Sequence, residues 1–104
     1  MTQFDDREKA FEKKFELDEE MQFKVLARTA RLFGLWAAGQ MKMPQAEAES
    51  YAAQMAEFVV KKPDHESLMA RIEQDLAAKG VTLSRRHLEK EMNECESRAQ
   101  REAT

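Results

Sequence analysis

Two prolines, three glycines and a single cysteine leave this 104-residue chain few devices for breaking or stapling its backbone. So little glycine and proline excludes collagen-like and turn-rich β architectures, while abundant Ala, Glu, Lys, Met and Leu favour helix. One cysteine, Cys95, excludes an internal disulfide and suits a reducing compartment. No apolar run approaches the length that crosses a bilayer, and the acidic N-terminus lacks the features of a signal peptide. The chain therefore reads as cytoplasmic, with no direct membrane insertion. An excess of cations is missing too. Seventeen Lys and Arg against 20 Asp and Glu give a net charge of −3, which argues against nucleic acid as the main partner. There is no glycine-rich phosphate loop and no nucleophile motif. His65 and His87 are isolated, without zinc-ligand spacing, so no metal site is expected. Carboxylates are plentiful, but none sits in the apolar context that acid catalysis needs. Nothing reads as an enzyme.

What remains is helix, and the stretch that organises it runs from Phe4 to Ala38. At 100° per residue, Phe4, Phe11 and Phe15 fall on one narrow face of an otherwise polar segment. Further on, Met21, Phe23, Val25, Leu26, Ala30, Leu32, Phe33, Leu35 and Trp36 cover most of the circumference. Only Lys24, Arg28 and Arg31 keep a cationic strip. A helix apolar nearly all round must be surrounded, so Met21–Ala38 is expected at the centre of a core. Gly34, in the interior of that helix, predicts close packing against a neighbour.

Gly39 and Pro44 bracket the first break, and Pro44 suits the start of a second helix. The second helix has its inner face at Ala48, Tyr51, Ala52, Met55, Phe58 and Val59. Pro63 stops it, and Asp64 is a natural N-cap for the third. The third helix's inner stripe reads His65, Leu68, Ile72 and Leu76, with Met69 on the flank. Lys79-Gly80 ends it, and Val81 and Leu83 plug the bundle end. Ser84 caps a fourth helix whose face reads Leu88, Met92, Cys95 and Ala99, with fraying expected beyond Arg98. Short connections imply antiparallel neighbours. The fold class is all-α: a four-helix bundle formed by residues 19–104, with residues 1–18 as a helical or partly disordered arm continuing the first helix.

The arm carries the functional signal. Residues 1–20 hold eight acids and four bases, net −4, so the remainder of the chain is close to neutral. A segment this short and charged is marginally helical alone. Folding into a partner's groove is the natural use of its aromatic stripe. The plain alternative is that the arm folds back over the bundle, although Glu8, Asp18 and Gln22 interrupt the face it would use. A second, weaker signal is Arg85 and Arg86 directly after the Ser84 cap, where cations oppose the helix dipole. With Lys24, Arg28 and Arg31 they are candidates for holding a phosphate, set against the plainer reading of a solvated surface.

The opening MTQFDDREKAFEKKFELDEE, followed by FKVLARTARLFGLWAA, resembles the zeta subunit family of alphaproteobacteria, inhibitors of the F-type ATP synthase. The likeness continues through AEAESYA and DLAAKGVTLSRRHLEKEMNE and so covers nearly the whole chain. Its most specific pieces are FDDREKAFEKKF, LFGLWAA and DLAAKGV. The resemblance implies an arm that enters a catalytic interface of the enzyme's soluble head and blocks rotation in the hydrolysis direction. Phe4, Asp5, Asp6, Arg7, Phe11 and Phe15 match the family's pattern there. It also implies a free monomer that becomes peripheral on the inner-membrane enzyme, and no cofactor beyond ADP or ATP as a regulatory ligand on the body. The competing readings are a nucleotide-binding regulatory helical module without inhibitory action, and a scaffold in which the phenylalanine stripes of two arms pair.

Overall fold

A computed structural model describes residues 19–103 of the chain. These residues form four helices: α1 (Glu19–Gln40), α2 (Gln45–Lys61), α3 (His65–Ala78) and α4 (Arg85–Ala103). α1 is the hub, packed chiefly between α2 and α4 and touching α3 as well. Side-chain links fix the relative directions. Arg28 meets Glu102 while the Trp36 ring lies tilted against His87, so α1 and α4 run in opposite senses. Tyr51 meets Asp75 while Phe58 lies under Arg71, so α2 and α3 do too.

The core follows the helical periods. Ala30, Phe33, Ala37 and Ala38 of α1 meet Tyr51, Met55 and Val59 of α2. Leu68, Ile72 and Leu76 of α3 and Leu88, Met92 and Cys95 of α4 complete the cluster. Met69, placed on a flank by its spacing, is buried. Thr29 is the one fully buried polar side chain recorded among the described residues, and its Oγ1 donates to the Val25 carbonyl at 2.7 Å. That local bond to the preceding turn satisfies the hydroxyl without a partner from another helix.

Helix ends are set by local chemistry. Pro44 stands at the N-cap of α2, in extended backbone, and its carbonyl accepts from the Ala48 amide. Asp64 caps α3 by accepting from the Ser67 amide at 2.7 Å and the Ser67 hydroxyl at 2.9 Å. Those two bonds hold its carboxyl below the usual carboxylate range. Ser84 Oγ accepts from the His87 amide at 3.1 Å at the start of α4. α3 ends in a Schellman motif, with Gly80 at φ +78° and the Val81 amide donating to the Leu76 carbonyl. Val81 and Leu83 then pack against the core, closing that end as expected.

Four details differ from the sequence reading. Met21 and Phe23 are exposed rather than central, because the first turns of α1 extend past the helices that would cover them. His65 is exposed and pairs with Glu96 at 3.1 Å, since it opens α3 before that helix's buried stripe begins. α1 does not end at Gly39; the left-handed residue closing its Schellman motif is Lys42, at φ +57°. α4 does not fray after Arg98. Ala99 is buried and the Arg28–Glu102 bridge, at 2.8 Å, ties the last turn to α1.

Candidate functional site

The six arm residues singled out in the sequence, Phe4, Asp5, Asp6, Arg7, Phe11 and Phe15, lie outside the described residues. The structure describes the chain from Glu19 onward, the start of α1. Glu19 to Lys24 are all exposed, and partial burial begins only at Val25. The first fully buried side chains of α1 are Thr29 and Ala30. The apolar seam therefore starts about two turns into the described helix.

The five basic candidates do not converge. Arg85 points back onto α3, where its Nε lies 3.0 Å from the Met69 sulfur and its guanidinium reaches Glu66 and Glu73. The local mismatch of a cation at a helix start is thus offset by two carboxylates from the neighbouring helix. Arg86 is exposed and lines a shallow depression along the outer face of α4 with Lys90, Asn93 and Ser97. Arg28 is paired with Glu102, 17 residues along α4 from Arg85, which at helical rise is about 25 Å. Lys24 and Arg31 are exposed on the same helix as Arg28. Arg28 and Arg85 are thus too far apart to hold one phosphate.

A network that the sequence reading passed over joins α2 to α3. The Tyr51 hydroxyl donates to Asp75 Oδ2 at 2.7 Å, and the Arg71 Nε donates to the same oxygen at 3.0 Å. The Arg71 guanidinium also sits 5.5 Å from the centroid of the Phe58 ring. Burial, followed by the hydrogen bond to Asp75, pushes the Tyr51 phenol well above its ordinary value. The i, i+4 spacing of Arg71 and Asp75 was legible; Tyr51, 24 residues upstream of Asp75, was not. Cys95 is buried among apolar neighbours, and that burial pushes its thiol up to about 11, far from a reactive thiolate. Among the described residues no group of three or more His, Cys, Asp or Glu is placed to hold a metal ion, and no helix is long and apolar enough to cross a membrane.

The body thus presents a well-tied scaffold, with α1 projecting from one end. Residues 1–102 match the family model described as ATPase inhibitor subunit zeta. The chain belongs to this family. No curated relative matches the sequence at a significant level. As a member of an ATPase inhibitor family the protein is a regulator rather than an enzyme, and the family implies association with the ATP synthase. The match covers the residues before α1 as well as the four helices up to the last turn of α4.

Proposed function

We propose that residues 1–18 are an inhibitory arm that enters a catalytic interface in the soluble head of the F-type ATP synthase. There the arm blocks rotation in the hydrolysis direction, while the four-helix body stays outside. The observation that carries this reading is the family match, which begins at residue 1 and so includes the arm. The exposed root of α1 supports it, because the bundle's core does not start until Thr29. As a helix, the arm would put the phenylalanines at 4, 11 and 15 on one face, each contributing roughly 1.5–3 kcal/mol on full burial in a partner. Ordering the segment offsets much of that, at about 1 kcal/mol or more per residue before helix hydrogen bonds are counted. The net affinity then depends on all three rings together. Residues 1–18 hold no histidine, so no imidazole within the arm can set its pH response.

ATP hydrolysis by the cognate enzyme, measured with the intact protein and with residues 1–17 deleted, tests the proposal. The intact protein should inhibit, and the deletion should abolish inhibition while leaving the helix content and melting of the body nearly unchanged. Phe11→Ala combined with Phe15→Ala should remove most of the inhibition. A truncated protein that inhibits fully places the inhibitory surface on the bundle. A truncated protein that unfolds makes the stripe part of the core.

A further inference from the structure

The outer face of α4 carries a row of one charge sign that the bundle does not use. Arg86, Lys90, Asn93, Ser97 and Arg101 are all exposed, and at 100° per residue they share an arc of about 80°. That arc lies opposite the buried face of Leu88, Met92, Cys95 and Ala99. It forms a shallow depression with Glu89, Glu94 and Arg98 along its edges, and no carboxylate stands inside it. Arg86 and Lys90 make no ion pair among the described residues. The neighbouring helices do not reach them. α1 meets α4 through His87 and Glu102, and α3 meets it through Arg85 and Glu96, so both lie to the sides of the row.

The same chain holds a matching row of the other sign. Residues 1–18 lie outside the described residues, but a helical spacing puts Asp5, Glu8, Glu12 and Glu16 within about 80° of one another, with no base inside that arc. This row is beside the Phe4, Phe11 and Phe15 face, not on it. Asp5 and Glu16 are 11 residues apart, as are Lys90 and Arg101, so each row is about 16 Å long on a helix. The connection also reaches. Arg28 meets Glu102, which brings Val25 near the C-terminal end of α4. Between Val25 and Glu16 lie residues 17–24, of which Glu19 to Lys24 are exposed and bury nothing in the core. Extended, those eight residues span about 26 Å, enough to pass from α1 around α4 to Arg101. We propose that in the free protein a second arrangement exchanges with the one described. In it the first turns of α1 unwind and the arm lays Asp5, Glu8, Glu12 and Glu16 along Arg86, Lys90 and Arg101. This inference rests on the arm reading above. An arm held on α4 cannot be in the enzyme head at the same time, so the contact is autoinhibitory. It lowers the apparent affinity by the fraction of molecules whose arm is free. Exposed ion pairs are individually weak, so the held form competes with the open one and does not replace it.

The first test compares amide spectra of the full chain, free in low salt. Glu8→Lys with Glu12→Lys should move the amides of Ser97 and Arg101 and leave those of α2 in place. Adding Arg86→Glu and Lys90→Glu to that variant restores opposite charges across the contact and should return both amides toward wild type. Amides that stay put overturn the proposal. So does movement that fades on dilution, which marks a contact between two copies. The second test titrates inhibition of the purified cognate enzyme. Arg86→Glu with Lys90→Glu, confined to exposed side chains, should lower the half-inhibition concentration about threefold and reach the same maximum. In about 0.5 M salt the difference should vanish, because screening frees the wild-type arm as well. An unchanged midpoint overturns the proposal. A raised midpoint does too, since it places the row on the enzyme. If the reversed variant melts well below wild type, Arg86→Gln with Lys90→Gln takes its place with the same expected direction. Failure of the arm reading looks different. The wild type then does not inhibit, and the Ser97 and Arg101 amides alone decide whether the arm rests on α4.

Discussion

Gly34 and Ala52 meet too closely for a side chain between them. A β-carbon on Gly34 would stand 3.1 Å from the Ala52 Cα, with the Met55 Cγ at 3.0 Å. Met55 can swing aside; the Ala52 backbone cannot without moving α2. Gly34→Ala gains about 1 kcal/mol of helix propensity, against an overpacking cost of roughly 1–3 kcal/mol. A net loss near 1 kcal/mol is expected, and Gly34→Leu should lower the melting temperature further. Gly39, in the same helix, has no atom within 4 Å of its missing β-carbon. Gly39→Ala should therefore stabilise by roughly 0.5–1 kcal/mol. Opposite signs in thermal melts confirm the α1–α2 contact; two stabilising alanines would refute it.

Lys42 holds the left-handed conformation that ends α1, where glycine is the usual occupant. That conformation costs a side-chain-bearing residue about 1–2 kcal/mol, and glycine's greater freedom when unfolded returns part of it. Lys42→Gly should raise stability by about 0.5–1 kcal/mol in urea melts with an unchanged slope. Lys42→Val, with its branched β-carbon, should lower it.

Tyr51→Phe removes one hydrogen bond and leaves Asp75 with Arg71, at a cost of about 1 kcal/mol. Asp75→Ala strands a hydroxyl on a buried ring and frees Arg71, so the larger loss, about 2 kcal/mol, is expected there. If the two variants melt together, the phenol–carboxylate bond is not what joins α2 to α3.

The chain has one tyrosine and one cysteine, so alkaline titration reports two known positions. The folded thiol of Cys95 is raised from 9.0 to about 11, and the folded phenol of Tyr51 is raised above its ordinary 10.0. Both groups hold their protons more firmly folded than unfolded. Their contribution is complete below the unfolded values and is lost as pH rises, between about 9 and 11 for the thiol and above 10 for the phenol. Denaturant midpoints should fall across that range, and Cys95→Ala should flatten the part between pH 9 and 11. Thiol labelling of the folded protein at pH 8 should be slow.

The sequence marked faces better than it marked lengths. The stripes Leu68/Ile72/Leu76 and Leu88/Met92/Cys95/Ala99 were legible because a period of 3.6 is written in the residues themselves. The Asp64 and Ser84 caps and the Gly80 stop were legible because each acts within three or four residues. How far neighbouring helices reach along α1 is a tertiary fact, so Met21 and Phe23 could not be told apart from Phe33. For the same reason Arg85 looked like a free cation until Glu66 and Glu73 were placed beside it. The arm residues rest on their pattern and their family resemblance, since they lie outside the described residues.

The hub position of α1 has a consequence for the order of events during synthesis. α1 leaves the ribosome before the other three helices, and α2 can fold back on it while translation continues. The opposite side of α1 waits for α4, which is made after the other three and whose last turn reaches Arg28 through Glu102. Until then the α4-facing side of Phe33 and Ala30 lacks its cover, and the nascent chain carries an open hydrophobic seam. Closure joins residues 74 positions apart, so the slow step of folding should be the arrival of α4.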